Sequence, residues 1–97
     1  MWKVRKVTEA RGVVLCISGR IGTEELLELR KLVSLEEANA EPVELDLRDV
    51  RLVNQQVVLY LGDREAKGSR LRNCPGYVRE WIEREKTNGS ETHQGDP

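Results

Sequence analysis

The feature that most constrains the fold is a change of hydrophobic period within the segment from Pro42 to Pro75. Apolar and charged residues alternate over residues 43–47, which is the pattern of a strand with one buried face. From Val57 the apolar residues recur at helical spacing, and Gly68 is well placed to end that helix. The segment therefore predicts a strand, a loop at residues 52–56 and a helix whose first backbone N–H groups are unpaired.

The residues before this segment predict a hairpin followed by a helix. Weak alternation over Trp2–Val7 indicates an edge strand, and the Arg11-Gly12 turn leads into the almost continuous apolar run Val13–Ile17, typical of a central strand. A helix is expected from about Glu24 to Ala38, with Thr23 as its N-cap. The connection from the second to the third strand then passes through a helix, so those strands should be parallel, with a right-handed crossover.

The residues after the central helix predict one short strand and one more helix. Ser69–Arg72 is heavily charged, which suits the edge of a sheet. Asn73 is expected to cap the last helix, with Pro75 in its first turn. We therefore predict an α/β domain over residues 1–86, with a small mixed sheet of about four strands, an N-terminal hairpin and about three helices. Residues 87–97 contain no large apolar side chain and are expected to form a disordered tail.

Composition excludes several classes of function. The chain has 16 Lys and Arg against 17 Asp and Glu, a net charge of -1, so it lacks the basic excess that nucleic-acid binding requires. No apolar run approaches the roughly 20 residues of a membrane span, and no signal-peptide core follows Met1, so we expect a cytoplasmic protein without a membrane span. The two cysteines, Cys16 and Cys74, are expected to be reduced and mostly buried.

The residue types also argue against catalysis. The only histidine, His93, lies in the predicted tail, so no nucleophile has the usual general base beside it. The sequence contains neither a phosphate-binding loop of the Walker type nor a dinucleotide fingerprint. We therefore predict that the protein is not an enzyme and uses no cofactor or metal.

The order and spacing of several short motifs resemble those of one known family. The motifs are Gly19-Arg20-Ile21-Gly22, Leu45-Asp46-Leu47, Asn54-Gln55-Gln56-Val57, Ala66-x-Gly68 and Asn73-Cys74-Pro75. Over roughly Val4 to Glu85 the chain resembles the STAS domain, the family of bacterial anti-sigma-factor antagonists and related modules. The resemblance implies a STAS-like fold and a role in regulation and signalling through protein binding.

The chain departs from that family at its regulatory site. The Ser or Thr that a partner kinase phosphorylates aligns with Gln56, which cannot accept a phosphoryl group. The preceding Asp of the family aligns with Asn54, and the acidic residue of the neighbouring loop aligns with Gly22. The resemblance therefore implies the family's scaffold without its usual phosphorylation switch.

We expect a non-catalytic, protein-binding regulatory module whose partner resembles an anti-sigma factor of the kinase type. The candidate partner-binding residues are Arg20, Ile21, Gly22, Asn54, Gln55, Gln56 and Val57. Three alternatives stay open at this point. Asn54 is equally consistent with a plain helix cap that binds nothing, and the same helix start could be the anion site of a small-molecule or nucleotide sensor. The chain could also be a structural module in a homodimer, with Trp2 and Arg70–Arg72 at the contact.

Overall fold

The fold is a single mixed sheet covered by helices. The structure is a computed structural model that describes residues 1–39 and 42–94, with side chains described as far as Thr87. Its elements are β1 (Trp2–Glu9), β2 (Gly12–Ile21), α1 (Thr23–Ala38), β3 (Val43–Val53), α2 (Gln55–Ala66), β4 (Arg70–Arg72) and α3 (Gly76–Gln94). The predicted α/β class, with four strands and three helices, is confirmed for this part of the chain.

The strands lie in the order β1-β2-β3-β4. The β1 and β2 strands form the predicted antiparallel hairpin, whereas β2 with β3 and β3 with β4 are parallel pairs. Gly12 closes the hairpin at a φ of 144°, and a side chain there would collide with the carbonyl oxygen of Pro42. A glycine is therefore required where the hairpin meets the start of β3.

All three helices pack on one face of the sheet. Alternate residues of β2 and β3, including Leu15 and Leu45, join buried residues of α1, α2 and α3 in one core cluster. The largest fully buried side chains are Leu15, Ile17, Leu29, Leu45, Leu47, Leu61, Ile82, Val33, Val57, Val58 and Val78. Because side chains alternate across a strand, the intervening residues of β2 and β3 lie on the other face, which we call the open face.

The open face carries charged side chains. Arg72 of β4 contacts Glu44 of β3 and also bonds Glu9 of β1 through both terminal nitrogens, at 3.0 and 3.3 Å. Asn73 adopts a φ of 52° and its amide donates to Asp46 at 3.3 Å. These polar contacts link β4 with β3 and β1 across the open face.

Three local predictions were wrong. The loop expected over residues 52–56 is shorter, because β3 bulges near Asp49 and stays paired with β2 as far as Val53. The N-cap of α1 is Gly22 rather than Thr23, which is the first helical residue. Asn73 does not cap the last helix, since α3 begins only at Gly76 and the Asn73 side chain faces Asp46.

The last helix is longer than expected. It continues past Lys86 to Gln94, into the segment for which the sequence predicted a disordered tail. No proline interrupts this stretch, and the Thr87 hydroxyl donates to the Glu83 carbonyl oxygen at 3.1 Å within the helix. Residues 95–97 of the predicted tail lie outside the described residues, and the division of the chain at residue 86 stays a prediction.

Candidate functional site

The two predicted loop segments lie next to each other at the carboxyl ends of β2 and β3. The register pairs Arg20 with Leu52 and Ile21 with Val53, so both strands end at the same level of the sheet. The helices α1 and α2 start immediately afterwards. We call the region formed by residues 20–25 and 54–57 the paired helix starts. Loops held in this way by rigid elements are common sites of recognition.

Asn54 joins the two helix starts through its side chain. Its Oδ1 accepts a hydrogen bond from the Val57 backbone N–H at 3.0 Å, which makes Asn54 the N-cap of α2. Its Nδ2 donates to Thr23 Oγ1 at 3.2 Å, across to the first residue of α1. The capping role expected of Asn54 is confirmed, and the same amide also fixes the spacing of the two loops.

A carboxylate already occupies the start of α1. Glu25 Oε1 accepts from the Gly22 backbone N–H at 2.8 Å, and Glu24 lies beside it in the first turn. Negative side chains at this position are stabilised by the helix dipole and satisfy its free donors. The start of α1 is therefore poorly suited to binding an anion.

The glutamines at the start of α2 differ in their surroundings. Gln55 Nε2 donates to Glu85 Oε2 at 3.2 Å, and the same oxygen accepts from Trp81 Nε1 at 3.2 Å. The Gln56 side chain is exposed and forms no hydrogen bond with any described residue. Gln56 is thus free to meet a partner, whereas Gln55 is held against α3.

The predicted site residues divide into surface and core. Ile21 and Val57 are almost completely buried, at 2% and 0% exposure, so they support the loops from below. Arg20 is exposed at the end of β2, and Gly22 is partly exposed beside it. A partner could therefore contact Arg20, Gly22, Asn54 and the first two residues of α2, but not the buried Ile21 and Val57.

The structure adds apolar surface that the sequence did not assign to the site. A groove beside the paired helix starts is lined by Met1, Trp2, Arg20, Ile21, Gly22, Glu25, Leu52, Val53 and Asn54. Leu52 is 54% exposed, and Met1 is fully exposed. Trp2 enters the groove because the hairpin register places it opposite Gly19. No local motif signals this placement of Trp2, because the register depends on the pairing of β1 with β2.

No group of three or more His, Cys, Asp or Glu side chains within the described residues could hold a metal ion. Cys74 is half-buried, and burial raises the pKa of its thiol above its ordinary value. Cys16 lies on the open face of the sheet, away from the helix starts.

Comparison with known proteins leaves the family open. No protein-family model matches the chain, and a search of curated proteins found no match. The resemblance to the STAS domain therefore stays a prediction. Among the helices that the structure describes, none is both long and apolar enough to cross a membrane.

Proposed function

We propose that this protein is a non-catalytic regulatory module that binds a protein partner through the paired helix starts. The observation that carries the proposal is the exposed Leu52 in the groove that Met1, Trp2 and Asn54 also line. Protein interfaces combine an apolar centre with polar surroundings, and large apolar side chains in pockets supply most of their binding energy.

The proposed interface is not switched by phosphorylation at its centre. Gln56 stands where the STAS resemblance expects a phosphorylated Ser or Thr, and an amide keeps that position neutral. In keeping with that resemblance, we propose that the partner is similar to an anti-sigma factor of the kinase type. We also propose that the two proteins meet in the cytoplasm.

Two features support a protein partner over a small molecule. Open α/β sheets bind ligands in the crevice that forms where successive crossover helices lie on opposite faces, whereas α1 and α2 lie on the same face. At the start of α2, where the sensor alternative places its anion, the Val57 backbone N–H already donates to Asn54 Oδ1. A nucleotide sensor would need a positively charged site, whereas Arg20 shares the groove with the Glu25 carboxylate.

Affinity capture with matched variants tests the proposal. The tagged chain, a Gln56→Arg variant and a Ser34→Arg control would be exposed to lysate of the source cells, and retained proteins identified by mass spectrometry. Ser34 is exposed on α1, roughly 16 Å along the helix from its start. We expect one protein to be retained by the wild type and the control and lost by Gln56→Arg. Retention by all three would move the interface elsewhere, and heat on titration with nucleotides would favour the sensor.

A further inference from the structure

The first strand leaves one edge of the sheet open. Among the described residues only β2 pairs with β1. The strand is 8 residues long, contains no proline and runs in unbroken register with β2, whereas β4 at the opposite edge has 3 residues. A long regular edge presents another chain with a row of unpaired backbone donors and acceptors.

The outward-facing backbone groups of β1 can be assigned. The Val13 N–H donates to the Pro42 carbonyl oxygen at 2.9 Å, on the side away from β1, so Thr8 and Val13 form a non-hydrogen-bonded pair. Because the two kinds of pair alternate in an antiparallel ladder, Val4 and Lys6 also direct their N–H and C=O groups away from β2. These groups are available to an added strand.

The side chains of this edge differ between its two faces. Lys3 and Arg5 are exposed on the open face, and neither forms an ion pair with a described residue. Trp2 and Val4 lie on the other face, half-buried against the core. A strand that fits this edge alternates acidic side chains toward Lys3 and Arg5 with apolar side chains toward Trp2 and Val4.

We propose that β1 is a docking edge for an extended acidic segment of another protein, which pairs with it as an additional strand. Backbone hydrogen bonds supply affinity in such complexes, and the alternating side chains supply specificity. The edge meets the groove of the paired helix starts only at Trp2. Its test therefore changes Lys3 and Arg5 and leaves the helix starts intact.

A second copy of β1 fits this edge less well. Two copies of β1 could pair as symmetric antiparallel strands through their outward-facing residues. If most of each strand overlaps, the residue that lies opposite its own copy is Val4, Arg5 or Lys6. The registers centred on Val4 and Arg5 put Arg5 opposite Lys3 or opposite itself. The register centred on Lys6 puts Lys6 opposite itself and Lys3 opposite Glu9, a carboxylate that Arg72 already binds. Like charges directly opposite each other destabilise strand pairing. A strand with acidic side chains on the open face replaces the repulsions at Lys3 and Arg5 with attractions.

Peptide binding tests the proposal. A labelled peptide in which Glu and Val alternate, long enough to pair with residues 2–6 and not with Glu9, would be titrated with the full chain while its fluorescence anisotropy is recorded. We expect saturable binding that the double variant Lys3→Glu, Arg5→Glu weakens about tenfold or more. The same variant should instead bind a peptide in which Lys and Val alternate. The double variant Lys31→Glu, Arg84→Glu makes the same charge change at exposed helix positions and should bind like the wild type.

Several results would overturn the proposal. One is equal binding of a scrambled peptide with the same composition, and another is binding that ignores the charge reversal. Two N-methylated peptides, one methylated at its odd positions and one at its even positions, test the backbone pairing. In an added strand one of the two sets of N–H groups must bond β1, so unchanged affinity of both peptides would exclude an added strand. A concentration-dependent dimer in light scattering that is abolished by the reversal of Lys3 and Arg5 would assign the edge to a second copy.

Discussion

At the residue scale, Asn54 and Gln56 show how neighbouring polar side chains take different roles. Both ends of the Asn54 amide bond other parts of the chain: its oxygen caps α2 and its nitrogen donates to Thr23. Gln56 is exposed and unbonded among the described residues, so little of the fold depends on its side chain. A substitution that harms binding and leaves stability unchanged should therefore be possible at Gln56 and not at Asn54.

Replacing Asn54 with alanine should destabilise the fold by about 1 kcal/mol, the usual cost of a lost N-cap. The hydrogen bond from Asn54 to Thr23 is lost as well, so the total loss of unfolding free energy should lie nearer to about 2 kcal/mol. Urea denaturation of the two proteins measures the difference in the free energy of unfolding. The matched change Gln56→Ala should stay within about 0.5 kcal/mol of the wild type. Equal effects of both changes would contradict the roles assigned here.

The fold also requires a glycine at position 12. Gly12→Ala should cost roughly 1–3 kcal/mol, because the φ of 144° is strained for alanine and the added carbon meets the Pro42 carbonyl. Gly76 has no heavy atom within 4 Å of an added carbon, so Gly76→Ala should be neutral or stabilise by up to about 1 kcal/mol. Thermal unfolding of both variants checks the contrast, and a tolerated Gly12→Ala would contradict the hairpin geometry.

At the element scale, α2 and α3 are joined by a charged pair as well as by the core. Both terminal nitrogens of Arg79 bond the Glu65 carboxylate at 2.8 Å. The hydrogen bonds from Arg79 hold the pKa of Glu65 below its ordinary value of 4.5. Lys86 lies 3.5 Å from the same carboxylate and acts in the same direction.

This pair should make stability depend on pH. The folded-state pKa of Glu65 is depressed, so its contribution is present above about 4.5, the unfolded value, and is lost as the pH falls through the lower folded value. Urea midpoints recorded between neutral pH and about pH 3 should fall less steeply for Glu65→Gln than for the wild type. Glu80→Gln, an exposed change on α3, serves as the control. Identical pH profiles for wild type and Glu65→Gln would contradict this account.

The strands and helices could be predicted from the sequence, but the end of β3 could not. Strong periodicity located the strands and helices, because a buried face requires period two or 3.6. The end of β3 was missed because its bulge near Asp49 breaks the alternation, and that bulge depends on pairing with β2, a distant segment. Leu52 was therefore assigned to a loop, although it lies in a paired strand.

At the scale of the whole molecule, the candidate site combines parts that are far apart in sequence. Local motifs predicted that the segments at Arg20 and Asn54 would be functional neighbours, and parallel pairing of β2 with β3 brings them together. The contribution of Met1 and Trp2 could not be predicted in this way, since it depends on the hairpin register. Burial of Ile21 and Val57 likewise follows only from the packed helix layer.

The central claim, that a protein partner docks at the paired helix starts, is tested most directly by calorimetric titration of the captured partner. The two variants to compare are Leu52→Asp, in the groove, and Leu35→Asp, on α1 far from its start. Both leucines are exposed, at 54% and 61%, so neither change should unfold the chain. We predict at least about tenfold weaker binding for Leu52→Asp and unchanged binding for Leu35→Asp. Equal affinity of Leu52→Asp and the wild type would contradict the claim.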